Sequence, residues 1–174
     1  MRPTKKITVS AMVTALGSTL MAIGAVWKLV DGALAAFASL LLVIIIIEVG
    51  SAFSWLVWLT TSLITALLFP SSTVWLLYFV LGVFPILKYY IEKLKRPFWF
   101  PIKLVYVNAC LVGLMYVLDF VFGTSLFGVE VMPMIKAVLY VGLNIVFFAY
   151  DRLITLIVRL YIEKYRHMFR HLFK

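Results

Sequence analysis

Charge is what this sequence has least of. Only 13% of its 174 residues are Asp, Glu, Lys or Arg, about half the share of a soluble domain, where roughly a quarter are charged. A chain this poor in charge and 65% hydrophobic cannot coat a water-facing globule. Cysteine is nearly absent. The single Cys110 sits in an apolar run, which excludes an internal disulfide and a multi-thiolate metal site. The two histidines, His167 and His171, are four residues apart near the C-terminus. That spacing could share a metal, but with no third ligand nearby a solvated or lipid-facing role fits better. Hydrolase and nucleotide-binding motifs are missing as well: there is no HExxH, no GxSxG and no P-loop. Asp and Glu together number seven, and no acid, base and nucleophile converge in the pattern. The expectation is a protein that is not an enzyme and carries no cofactor and no metal.

What remains is a series of long apolar runs, each near the twenty residues needed to cross a ~30 Å hydrocarbon core. The expected fold is all-α: a single domain, 1–174, of six membrane-spanning helices at about 7–27, 33–48, 51–69, 73–91, 101–122 and 131–157. A basic amphipathic end, 158–174, follows and would lie at the membrane surface. The N-terminal run resembles a signal peptide, with Arg2, Lys5 and Lys6 ahead of it, but it is too long and is interrupted by Lys28 and Asp31; it reads as a retained first helix. Glu48 and Gly50 leave room only for a very tight turn between the second and third helices. Pro85 lies inside the fourth helix and should kink it. Asp31-Gly32 begins a motif resembling that of lipid-headgroup phosphotransferases, but the paired downstream aspartates of that motif are missing.

The most charged break is Tyr89–Pro97. With its flanks it places Lys88, Lys93, Lys95, Arg96 and Lys103 within sixteen residues, against one acid, Glu92. Unpaired charges are costly in lipid, and basic loops stay on the cytoplasmic side. With this loop inside, six helices put both termini inside. All but two of the sixteen Lys and Arg residues, Lys28 and Lys136, then fall on the inner side. A five-helix count would separate the two basic termini. The expected location is the cell membrane, multi-pass. The net charge of +9 is accounted for by this bias, so no nucleic-acid partner is expected; the lipid bilayer is.

Three sets of residues are candidates for function. Ala11, Ala15, Ser18 and Ala22 form a stripe of small residues on the first helix, which would admit close approach of another helix. It serves an internal helix contact, the reading we favour from the pattern, or docking of another subunit. Glu48, Lys88, Asn108, Asp151 and Arg152 lie near inner helix ends. They suit a locking ion-pair network, with Glu48 paired to Lys88 or Arg152, or part of a gate; the plainer reading is snorkelling to water. Trp75, Tyr78, Tyr116, Asp119, Lys136, Tyr140 and Asn144 lie towards the outer side. Lys136, Tyr140 and Asn144 share one helix face. Aromatic walls with a few polar groups suit a small-molecule pocket, against the plainer reading of an interfacial aromatic belt. Asn144 is the deepest of these and fits a belt least.

The basic start, Ala11-Met-Val-Thr-Ala15 on the first helix, and six helices in under 180 residues with both ends inside resemble the S components of energy-coupling factor (ECF) transporters. These are the substrate-binding membrane subunits of vitamin importers. The stretches Gly82–Lys88 and Lys103–Asn108 also resemble related, uncharacterised small membrane proteins of Gram-positive bacteria. The resemblance implies that Ala11 and Ala15 contact a transmembrane coupling subunit. It further implies that a vitamin-like solute binds from outside among helices four to six, and that partner ATPases supply the energy. The alternative is a non-transporting scaffold or assembly protein of the bacterial envelope, which a docking stripe and a basic tail would serve equally well.

Overall fold

The computed structural model describes residues 3–27, 29–117, 120 and 133–165. Six helices follow one another: α1 (Pro3–Val26), α2 (Asp31–Glu48), α3 (Ser51–Leu68), α4 (Val74–Ile91), α5 (Trp99–Val117) and α6 (Pro133–Leu160). One 3₁₀ turn, Arg96–Phe98, leads into α5, and a π turn, Tyr161–Tyr165, continues α6. No strand occurs among the described residues. Six segments are long and apolar enough to cross a membrane: α1 to α4, Arg96–Val117 and Tyr140–Lys164. The protein is a six-helix integral membrane protein. Against the sequence expectation, α5 is described as a helix to Val117 rather than 122, α1 starts four residues earlier than 7, and α6 runs past 157. Both extensions carry charged residues (Lys5, Lys6, Arg159) that propensity tolerates in a helix and hydropathy does not count. The outer loop at 123–130 and the tail 166–174, with His167 and His171, lie outside the described residues, as does Lys28.

Where the sequence reading has one domain, the contacts group into two compact units. One is the chain up to Lys93 together with the described residues from Val158 on; the other is Leu94–Ile157.

In the first unit α2 packs against α1, α3 and α4, and α3 packs against α1 and α4. Its core is Val13, Met21, Ala35, Ala38, Leu42, Ile45, Val49, Val57, Trp58, Val74, Tyr78 and Ile86. Apolar side chains outside this core, such as Leu16, Leu56, Leu63 and Leu67, are more than half exposed, as suits helices solvated by lipid tails. Apolar burial drives little association there, so packing and hydrogen bonding carry the contacts. Close approach is made at glycines. A Cβ on Gly17 would lie 3.3 Å from Thr61 Cγ2, and one on Gly24 would lie 3.0 Å from Val74 Cγ2. Two buried hydroxyls on α3 are satisfied within the helix: Ser62 donates to the Trp58 carbonyl and Thr65 to the Thr61 carbonyl, each at 2.8 Å, whereas Thr61 Oγ1 is buried with no hydrogen-bond partner among the described residues. The i−4 bonds let Ser62 and Thr65 sit in apolar surroundings without an orphan donor.

The α2–α3 turn is as tight as the sequence requires. Val49 N–H and Gly50 N–H both donate to the Ile45 carbonyl at 2.9 Å, and Gly50 has φ +119°, a backbone region that favours glycine. At the other end of these helices Asp31 joins two loops. Its Oδ1 accepts from Gly32 N–H at 2.6 Å, and its Oδ2 accepts from Thr73 Oγ1 at 3.3 Å.

The second unit is α5 against the part of α6 that ends at Ile157. Phe100 stacks on Phe148 (centroids 5.4 Å, planes 15° apart), and Phe147 meets Tyr106 and Phe148 at 6.2 and 6.1 Å.

Candidate functional site

Polar side chains in a membrane-spanning helix are retained against a free-energy cost and are therefore the first candidates for function. The strongest such feature is an ion pair in the second unit. Lys103 Nζ on α5 lies 2.9 Å from both carboxylate oxygens of Asp151 on α6. The two side chains are 8% and 11% exposed. Two full charges removed from solvent hold together only if their geometry compensates for lost hydration. Here one ammonium spans both oxygens, and two facing helices are tied at one point.

Further along α5, Asn108 joins α6 by a second polar contact. Tyr140 Oη donates to Asn108 Oδ1, while Asn108 Nδ2 donates to the Leu104 carbonyl at 2.7 Å. Asn144 Nδ2 donates to the Tyr140 carbonyl at 3.0 Å. Asn144 Oδ1 has no hydrogen-bond donor among the described residues, so this cluster keeps one spare acceptor on a half-buried side chain.

The sequence-predicted pocket residues are distributed as follows. Tyr140 and Asn144 belong to this cluster. Tyr78 is 1% exposed and is a core residue of the first unit, beside Gly82. Trp75, in the same unit, is half-buried, and its indole Nε1 is buried without a hydrogen-bond partner among the described residues. Tyr116 is 74% exposed, as a residue facing lipid or the interface would be. Asp119 lies outside the described residues; Lys136 lies in α6, but its side chain lies outside them.

The inner set also separates. Asp151 has Lys103, and Asn108 has Tyr140. Glu48 Oε1 accepts from Tyr161 Oη at 3.2 Å in the first unit. Lys88 is buried, with Nζ 3.6 Å from Glu92 one turn on. Arg152, next to Asp151, is exposed. Sequence reasoning counted Lys103 with the basic loop and did not name Tyr161. The available signal for Lys103 was its place: it lies seven residues past Arg96, where the span begins, so it is inside the apolar segment and in need of an acid.

On α1 the small-residue stripe and the buried face are different faces. Val13, Gly17, Met21 and Gly24 are buried within the unit, whereas Ala11 and Ala15 are exposed and Ser18 and Ala22 half-buried. At 100° per residue the two sets lie roughly a third of a turn apart. The internal contact favoured from the pattern is therefore made in this unit by a neighbouring face. Ala22 also borders an apolar groove of about 370 Å³ with Thr19, Ile23, Val26, Trp27 and Phe69.

Six spans with polar groups paired inside them define a multi-pass membrane protein. No family model, curated protein or solved structure matches the chain.

Proposed function

We propose that this chain is the membrane-embedded solute-binding subunit of a small-solute importer in the cell membrane, similar in kind to the S components of ECF transporters. One observation carries the reading: the uncharged cluster Asn108–Tyr140–Asn144 on two spanning helices, with its spare acceptor at Asn144 Oδ1. A cluster serving only to lock helices would be expected to satisfy its own valences. A small polar molecule with a hydrogen-bond donor would complete this one. Energy would come from partner ATPases through a coupling subunit, because this sequence has no phosphate-binding loop.

Native mass spectrometry of the protein, purified in mild detergent, tests the proposal directly. The expected result is a retained small molecule of vitamin size. Asn144→Leu should reduce its retention by up to about tenfold, the value of one hydrogen bond of roughly 1.4 kcal/mol. Its melting temperature should stay close to the wild type. A repeatedly empty wild-type protein would rule out this reading.

The exposed Ala11 and Ala15 favour a second reading, the envelope scaffold, because small residues left exposed on a spanning helix are available to another membrane helix. Under either reading Ala15→Leu should leave stability nearly unchanged, since exposed substitutions usually fall within about ±0.5 kcal/mol. Co-purification of partner membrane proteins should be lost. Unchanged co-purification would remove α1 as the docking helix, and an empty protein that still brings down partners would favour the scaffold.

A further inference from the structure

We infer that the α4–α5 connection carries an anionic-lipid site, in which Lys95 and Arg96 hold a phospholipid headgroup while Leu94, Phe98 and Phe100 sit among its acyl chains. The segment follows one spanning helix and opens the next, since the fifth span begins at Arg96. It therefore lies at a membrane surface, where headgroups are. Lys95 and Arg96 are both exposed and make no ion pair among the described residues. The nearby acid, Glu92, already faces Lys88 at 3.6 Å. Lys93 belongs to the other unit and lies 4.1 Å over the Tyr89 ring, so it is not counted.

Two features separate this segment from an ordinary basic loop. First, it is held in shape. Trp99 Nε1 donates to the Leu94 carbonyl at 2.9 Å, and Phe98 N–H donates to the Lys95 carbonyl at 3.0 Å. Pro97 fixes one backbone torsion between them. The two cations are thus presented from a closed turn that needs no ordering on binding, which removes part of the usual entropic cost. Second, the two adjacent cations are flanked by large exposed apolar side chains: Leu94 is 52%, Phe98 56% and Phe100 61% exposed. A soluble anion would satisfy the charges and leave those surfaces in water. A glycerophospholipid satisfies both, with phosphate on Lys95 and Arg96, where Arg presents a fork matched to phosphate oxygens, and acyl chains against the rings.

The test is native mass spectrometry of the full chain incubated with equimolar phosphatidylglycerol and phosphatidylcholine, read as the ratio of retained adducts. Each basic residue at a membrane surface is worth about fivefold for anionic lipid, so two give a preference of roughly twenty- to thirty-fold. In K95Q/R96Q the ratio should fall towards one. For the wild type, raising ammonium acetate from 0.1 M to 1 M should shrink the preference through screening alone, which tests the charges without altering the fold. Trp99→Phe, which keeps an aromatic ring but frees the Leu94 carbonyl, should give an intermediate ratio. An unselective wild type, or a preference unchanged in K95Q/R96Q, would overturn the assignment. So would equal retention of soluble glycerol phosphate, which would make the turn a general anion site.

Discussion

Asp151→Leu should destabilise the protein by about 3–5 kcal/mol, because it leaves the Lys103 ammonium buried between two apolar helices with its partner gone. Lys103→Met should do the same from the other side, by stranding the carboxylate. The double variant, Lys103→Met with Asp151→Leu, is the informative one. It replaces the pair by apolar groups of similar size, and such replacements are often neutral or stabilising. We expect it to regain most of the loss of either single change, giving a coupling energy of about 3 kcal/mol or more, at the top of the range for residues in contact or in one polar network. Thermal unfolding of the four proteins in one detergent reads this cycle. Additive single effects would mean that Lys103 reaches water along its own stem and that the 2.9 Å contacts to both oxygens contribute little. The distinction bears on function too. A cycle with strong coupling describes a lock between α5 and α6. An Asp151 that can be removed without cost is free to serve another ligand.

How much of this was legible in the sequence depends on which kind of information each feature uses. The six spans follow from hydropathy and length, because lipid imposes a composition on every residue facing it. The tight α2–α3 turn was legible at Gly50, since its neighbours leave room for almost no connecting residues. The partner of Asp151 was not, because Lys103 lies 48 positions away and a charge near a basic loop is read first as part of that loop. Its true environment depends on where α5 begins, and the aromatic turn before Trp99 blurs that boundary. The faces of α1 show a second limit. Ala11, Ala15, Ser18 and Ala22 form a smoother stripe than Val13, Gly17, Met21 and Gly24, yet the latter are the buried set. With apolar residues on every side of the helix, periodicity has no contrast to report. The buried face was chosen by the shapes of Thr61 and Val74, which the sequence of α1 does not contain. For the same reason Tyr78 read as a pocket wall: an aromatic residue near a helix end looks the same in sequence whether it lines a cavity or fills the contact beside a glycine.

That glycine gives the second large effect. Elsewhere in a helix Gly→Ala gains roughly 0.5–1 kcal/mol by reducing backbone entropy in the unfolded chain. Gly113 has nothing within 4 Å of where a Cβ would go, so Gly113→Ala should be neutral or stabilising by up to about that amount. At Gly82 the sign reverses. A Cβ there would lie 2.7 Å from Trp58 Cδ1, 3.3 Å from its Nε1 and 3.4 Å from Tyr78 Cζ. The indole cannot simply swing away. Its Nε1 donates to the Phe79 carbonyl at 3.1 Å, and its ring is held between Trp55 and Phe79, at 5.5 and 4.7 Å between centroids. Overpacking of this kind costs about 1–3 kcal/mol, and a ring displaced far enough to release Nε1 adds an unsatisfied buried donor of about 1–3 kcal/mol more. Gly82→Val should therefore be among the most destabilising single changes in α4, and Gly82→Ala should lower the melting temperature despite its better helix propensity. Trp58→Ala supplies the control. It removes the ring atoms that a new Cβ would strike, so Gly82→Ala in a Trp58→Ala background should cost clearly less than in the wild type. An equal cost in both backgrounds would show that the helix at Gly82 is intolerant for a reason other than the indole, and the α3–α4 contact would have to be explained without it.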